Sequence, residues 1–299
     1  GKTAFLIQFT QNMIIFMTEF SESYCKIKSS KNEVNKISDL LNTESLKVKK
    51  DQSKENVEIT NSKIALEIKN LTAFYGKNKV LDDISFSVLE GETVAIIGKS
   101  GSGKSTLLKI LSGFMENYDG KYFLLGKEVV KDVSESFIRD NVSYVSQNEV
   151  LFDFSIEDNI RIGKSDISND EIGRILKKVN MHKEVEELCN GIKTVIGEEG
   201  TALSGGQIQR ICIARALAKD TCVFLFDEIT SSLDRKNERK IMEELKKMKN
   251  KTILMSTHSR EILPYASKII ILKEGKIEVK ESFDELYKIE DYFKEEYTK

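Results

Sequence analysis

The sequence predicts an α/β fold with a mainly parallel sheet, and three stretches carry that prediction. Cys222–Phe226 and Thr252–Met255 are continuous apolar runs, the pattern of strands covered on both faces. Between them lies Arg235–Lys249, whose apolar residues recur at helical spacing. Thr93–Ile97 is a third apolar run; it ends in Gly98 and is followed by the helical stretch Ser105–Leu111. Apolar strands alternating with helices imply a sheet with helices on both faces.

The other elements follow along the chain. Residues 5–41 contain neither Pro nor Gly, and Val34, Ile37, Leu40 and Leu41 mark one apolar helical face. Within this stretch Ala4–Met17 is apolar but shorter than the roughly 20 residues of a complete membrane span. It also lacks the basic leader and cleavage site of a signal peptide. By itself it reads equally as a buried amphipathic helix or as the cut end of a membrane helix. Residues 42–62 are rich in Lys, Asp, Glu, Ser and Gln and read as a charged linker, which places a domain boundary near residue 62. Ile64–Phe74 and Ile84–Val88 alternate as half-buried strands, Val142–Ser146 is a further strand, and residues 169–189 are helical. No internal repeat interrupts this order.

Composition narrows the function classes. A hydrophobic content of 40% with 31% charged residues suits a soluble globular core. A net charge of −2 gives no support to nucleic-acid binding through a basic surface. Cys25, Cys189, Cys212 and Cys222 are scattered without metal-ligand spacing, and Cys212 and Cys222 sit among apolar residues, so reduced buried thiols are expected. With His182 and His258 as the only histidines, a histidine-rich metal site is excluded.

Three motifs carry chemistry. Gly98-Lys99-Ser100-Gly101-Ser102-Gly103-Lys104-Ser105 fits G-x-x-x-x-G-K-[ST] between a strand and a helix. Glycines there turn backbone N–H groups toward phosphate oxygens, and the helix start adds a field favourable to anions. Lys104 supplies a charge for the β- and γ-phosphates, and Ser105 offers its hydroxyl to Mg²⁺. The second motif is Asp227-Glu228, two carboxylates at the C-terminal end of an apolar strand, where open α/β sheets bind ligands. Asp227 would hold Mg²⁺ and Glu228 would polarise an attacking water. The third is Leu203-Ser204-Gly205-Gly206-Gln207. Ser204 and Gln207 make a capping box, but two glycines in a first helical turn cost about 1 kcal/mol each against Ala. Close approach of a phosphate to the exposed N–H groups accounts for them.

Taken in order, and with Ile208-Gln209-Arg210 directly after Gln207, these motifs resemble the nucleotide-binding domain of ABC transporters over about residues 63–285. The resemblance implies a P-loop NTPase core, an antiparallel β subdomain and a helical signature subdomain. It implies nucleotide contacts by Gly98 to Ser105, by Thr106, by Ser204 to Gln207 and by Asp234 in the loop Ser231-Ser232-Leu233-Asp234. Tyr75 matches the adenine-stacking aromatic. Gln147 matches a glutamine that touches Mg²⁺ and the attacking water, and His258 matches the histidine that contacts the γ-phosphate. Lys104, Gln147, Glu228 and His258 are thus the expected catalytic set, with Ser105, Gln147 and Asp227 around Mg²⁺ and ATP as the nucleotide. In the family two such domains pair head to tail, so Ser204, Gly205 and Gly206 would act on the partner's ATP. Ile229, where Ala is frequent, and Cys212 in the signature helix are small departures.

Two segments resemble exporters in particular. Ser155–Ile160 resembles the segment that meets the membrane domain, and Thr194–Gly200 resembles the loop ahead of the signature. In that light residues 1–45 read as the end of a last membrane helix and its cytoplasmic extension, residues 46–62 as the linker and residues 63–299 as the ATP-binding domain. The implied role is ATP hydrolysis driving export at the cell membrane, on its cytoplasmic side, as part of a fused chain whose earlier membrane helices precede this one. The implied partners are a second such domain, identical or not, and a membrane domain, with no nucleic acid. The competing class is a soluble ABC ATPase of the DNA-repair or translation type.

Overall fold

A computed structural model describes residues 64–129, 133–148, 150–197 and 202–280. The expectations for residues 1–62, and the part of Thr194–Gly200 beyond Gly197, lie outside them. Two sheets form the frame. In the first, strand β1 (Ile64–Tyr75) pairs antiparallel with β2 (Asn78–Leu89) on one side and β4 (Tyr118–Leu124) on the other, and β4 continues to the short β5 (Lys127–Glu128). This is the antiparallel subdomain. Leu66 and Ile68, then Leu71 and Ala73, are buried at two-residue spacing along β1, the phase shifting at the irregularity around Asn70, which has φ +52°.

The second sheet has the order β10-β9-β3-β8-β7-β6. It comprises β3 (Thr93–Ile97), β6 (Val142–Val145), β7 (Val223–Asp227), β8 (Thr252–Ser256), β9 (Lys268–Lys273) and β10 (Lys276–Lys280). Every pairing is parallel except that of β10 with β9. Side chains of β7 alternate between two cores. Phe224 and Phe226 face a core shared with the helices α3 (Ile156–Arg161), α4 (Asn169–Lys178), α6 (Gly205–Lys219) and α7 (Arg235–Lys246). Val223 and Leu225 face a core shared with α1 (Lys104–Leu111) and the antiparallel subdomain. Buried Tyr122 ties those two together, its hydroxyl donating to the Leu111 carbonyl at 3.0 Å.

Parallel pairing sets Ile96, Asp227 and Ser256 level with one another, so β3, β7 and β8 release their C-terminal loops at one edge. Those loops begin at Gly98, Glu228 and Thr257. The predicted phosphate loop, carboxylate pair and histidine are therefore brought to one rim by strand order alone.

Some expectations change. The stretch 169–189 is two helices, α4 and α5 (His182–Glu186), because Asn180 takes a left-handed conformation at φ +54°. α7 stops at Lys246 rather than Lys249. Cys212 is buried as expected, but Cys222 is exposed, since it precedes β7 and lies at the sheet's N-terminal rim. Ser155–Ile160 is a capped helix start: Ser155 accepts from Asp158 N at 3.1 Å. α2 (Glu135–Asn141) is likewise capped by Ser134. Among the described residues, no helix is long and apolar enough to cross a membrane.

Candidate active site

The phosphate loop joins β3 to α1, and two local features shape it. Gly103 has φ +107°, and a Cβ there would lie 2.8 Å from Leu81 Cδ2, so only glycine fits the turn into the helix. α1 then starts without a side-chain cap and without an acidic residue in its first turn. Helices α2, α3, α4, α6 and α7 are all capped by a Ser or Asp side chain. The N–H groups at the start of α1 are thus left to an outside acceptor.

Lys104 is 5% exposed, and its ammonium donates to the carbonyls of Gly98 at 2.7 Å and Lys99 at 3.2 Å. Burial pushes its pKa down, opposed by the nearby Glu228 and Asp227 carboxylates. Ser105 is partly buried and Thr106 buried beside it. Ser102 Oγ is buried with no hydrogen-bond partner, an orphan that a polar ligand would satisfy.

The carboxylate pair divides its work by position. Asp227, at 2% exposure, is fixed by Ser256 Oγ, which donates to Oδ1 at 2.5 Å, and by Tyr144, whose hydroxyl donates to Oδ2 at 3.4 Å. Glu228 has φ +51° and leaves the strand at an angle that strand geometry does not allow. Its N–H donates to Ser256 O at 3.2 Å and Oγ at 3.1 Å. Both of its carboxylate oxygens are engaged. Gln147 Nε2 donates to Oε2 at 2.7 Å, and His258 Nε2 lies 3.0 Å from Oε1. Three residues far apart in sequence thus meet at one carboxylate beside the buried lysine.

The glycine-rich helix start makes its own set of bonds. Ser204 caps α6, accepting from Gln207 N at 3.3 Å, while Gln207 Oε1 accepts from Ser204 N at 2.8 Å. Gln207 Nε2 donates to Glu184, which also receives two donors from Arg210 at 2.6 and 3.0 Å. Gln207 is therefore occupied in holding its own helix. Gly206 has a packing reason beyond phosphate approach: a Cβ there would lie 2.9 Å from Ser232 O. Asp234 caps α7, accepting from Asn237 N at 2.8 Å, a bond that lowers its pKa. Tyr75 is exposed at the end of β1, opposite Asn78. Among the described residues, no hydrogen bond joins Ser204–Gln207 to the phosphate loop, Gln147, Glu228 or His258.

The sequence profile of the ABC transporter family matches residues 81–231, which include the phosphate loop, Gln147, the Ser204 helix start and Glu228. The chain belongs to the ABC transporter family. Among its relatives is the ATP-dependent lipid A-core flippase of Desulfotalea psychrophila, 38% identical over 76% of this chain and 40% of that protein. The corresponding flippase of Francisella novicida is 41% identical over 70% of this chain and 36% of that protein. The mitochondrial iron-sulfur clusters transporter ATM1 of Debaryomyces hansenii is 32% identical over 93% of this chain and 40% of that protein. A solved bacterial Atm1-family ABC exporter with ATP bound superposes with a TM-score of 0.75 at 28% identity, over 83% of this chain and 44% of that one. The chain thus spans well under half the length of each of these proteins.

Ser256, Tyr144 and Glu184 shape the site of this ABC domain but carry no motif signal: Ser256 and Tyr144 fix Asp227, and Glu184 anchors the signature helix through Arg210. Burial acts to raise the Glu184 pKa, but hydrogen bonds from Arg210 and Gln207 win, and the carboxyl is held below its ordinary 4.5. A depressed folded-state pKa stabilises the fold above the ordinary value, and the stabilisation is lost as pH falls through the folded value. Glu184→Gln is therefore expected to lower the melting temperature at neutral pH. The gap to the parent closes as pH drops below 4.5, and thermal denaturation across that range checks it.

Proposed function

We propose that this chain is the ATPase part of an exporter: it binds and hydrolyses ATP as one of a head-to-tail pair of domains and so drives a membrane domain. The carrying observation is that Lys104, Gln147, Glu228 and His258 converge at one rim while Ser204–Gly206, the second glycine-rich helix start, makes no hydrogen bond to them among the described residues. A second copy or an analogous domain completes the site by bringing its own Ser204-type helix start to this phosphate loop.

The residues present fit ATP with Mg²⁺. Ser102 Oγ is an orphaned buried hydroxyl, and α1 has an uncapped start. Ser105, Asp227 and Gln147 offer hard oxygen donors, and Mg²⁺ takes few protein ligands when phosphates share it. When bound, Mg²⁺ would neutralise phosphate charge. Lys104 would hold the β- and γ-phosphates, and Tyr75, already exposed, would stack on adenine. Glu228 would take the proton of the attacking water, with Gln147 and His258 holding its carboxylate in place.

The membrane domain is supported by a surface. Phe152 and Phe154 stack at 5.8 Å with 50% and 52% of their surface exposed. Ser155, which follows them, bridges to Val195, itself 52% exposed, so the described part of the second exporter-like segment runs beside the start of the first. Residues 1–45 would be the end of a membrane helix with its extension, residues 46–62 a linker and residues 63–299 the ATPase, at the cytoplasmic side of the cell membrane. Relatives described as flippases and transporters favour this over a soluble repair or translation ATPase.

The test is sedimentation of the Glu228→Gln chain. ATP with Mg²⁺ is expected to convert it from monomer to dimer, and ADP is not. A chain that stays monomeric with ATP and Mg²⁺ overturns the paired-domain reading.

A further inference from the structure

Gln209 lies in α6, beyond the Ser204 cap, and is 8% exposed. Its amide is spent on the turn that follows β7. Nε2 donates to the Glu228 carbonyl at 3.3 Å and to Ser231 Oγ at 3.4 Å, while Oε1 accepts from Ser232 N at 3.2 Å. That turn is the one in which Glu228 holds φ +51°, a conformation a non-glycine residue keeps only when its surroundings impose it. The same turn is pressed against the start of α6. Gly206 has no room for a Cβ beside Ser232 O, and Leu233 Cδ2 would lie 3.5 Å from one. The first turns of α6 and the backbone of Glu228 therefore share a single support, Ser231–Leu233.

We propose that Gln209 is a positioning residue for Glu228, which ties the hydrolytic geometry at this chain's phosphate loop to the seating of its own Ser204–Gly206 helix start. This rests on the paired-domain reading, in which that helix start bears on the partner's nucleotide. Gln209 is two residues beyond Gln207 in one continuous helix, whose first turns Gln207 and Arg210 fasten to Glu184 of α5. A shift of the helix start carries Gln209 with it and withdraws the donors from the Glu228 carbonyl and Ser231. Each ATP site of the pair then senses whether the other is filled, through one buried amide per domain.

The experiment compares the parent chain with Gln209→Met, which keeps volume and loses all three bonds, and Gln209→Glu, which keeps only the acceptor for Ser232. ATP affinity, steady-state hydrolysis with Mg²⁺, the Hill coefficient for ATP and the melting temperature are measured on each. In both variants turnover per folded dimer is expected to fall about tenfold or more, with ATP affinity within about twofold of the parent. The Hill coefficient falls toward one. Should Gln209→Met fail to fold cooperatively, Gln209→Glu decides by the same readings. A melting temperature that drops while turnover and Hill coefficient stay parental assigns Gln209 a structural role and overturns the proposal. The Glu228→Gln dimer measurement separates the two failures: no dimer overturns the pairing itself, whereas a dimer with parental kinetics in the Gln209 variants overturns only the link.

Discussion

Lys104→Ala is expected to reduce ATP hydrolysis to background, a loss of at least about 10²-fold, the scale seen when one preorganised charge or donor is removed from a reacting centre. The ammonium is buried at the mouth of α1 and held by the Gly98 and Lys99 carbonyls, so its position is set before any ligand arrives. Burial already disfavours its charge, and the Asp227 and Glu228 carboxylates oppose that effect. A triphosphate carries far more negative charge than either carboxylate and gains from a cation that cost the fold something to bury. The same reasoning says that the variant folds, because alanine removes a buried charge rather than a packed apolar group. Phosphate release at saturating ATP and Mg²⁺, beside a melting curve, checks both halves. Hydrolysis at the parental rate would remove the phosphate loop from the mechanism.

Glu228→Gln carries the other large effect. The side chain keeps its size, and a flip of the Gln147 amide restores a hydrogen bond to the new amide. Binding of ATP is therefore expected to persist while hydrolysis falls by about 10²–10⁴-fold, the contribution of a positioned general base. Single-turnover measurement of ATP cleavage separates the two. If binding and cleavage fell together, Glu228 would be a structural support and not the base.

The fold was largely legible where physics leaves one option. Thr93–Ile97, Thr252–Met255 and Cys222–Phe226 read as buried strands because nothing polar interrupts them, and β7 is shifted by one residue only. β4 was not legible: Tyr118-Asp119-Gly120-Lys121 is polar and glycine-interrupted, and becomes a strand because β1 offers it a partner edge. β9, by contrast, contains Ile269, Ile270, Ile271 and Leu272, as plain an apolar run as β7, yet it is absent from the strands assigned from sequence. The site residues stood out by motif and order, and the structure gathers Lys104, Gln147, Asp227, Glu228 and His258 at one rim. What sequence could not supply was the burial of polar groups. Gln209 and Arg210 stood in the sequence as a continuation of the Ser204–Gln207 motif, but what they hold shows only once the turn after β7 and the Glu184 carboxylate are placed against them.

The paired-domain proposal, in which Ser204–Gly206 bears on a partner's nucleotide, also has a kinetic meaning. A site assembled from two molecules makes turnover second order in protein when the chain is dilute, so activity per milligram climbs with concentration. Tethering two such domains to one membrane body replaces that collision with a fixed local concentration. The rate then ceases to depend on how much protein is present and depends only on how the tether lets the two faces meet.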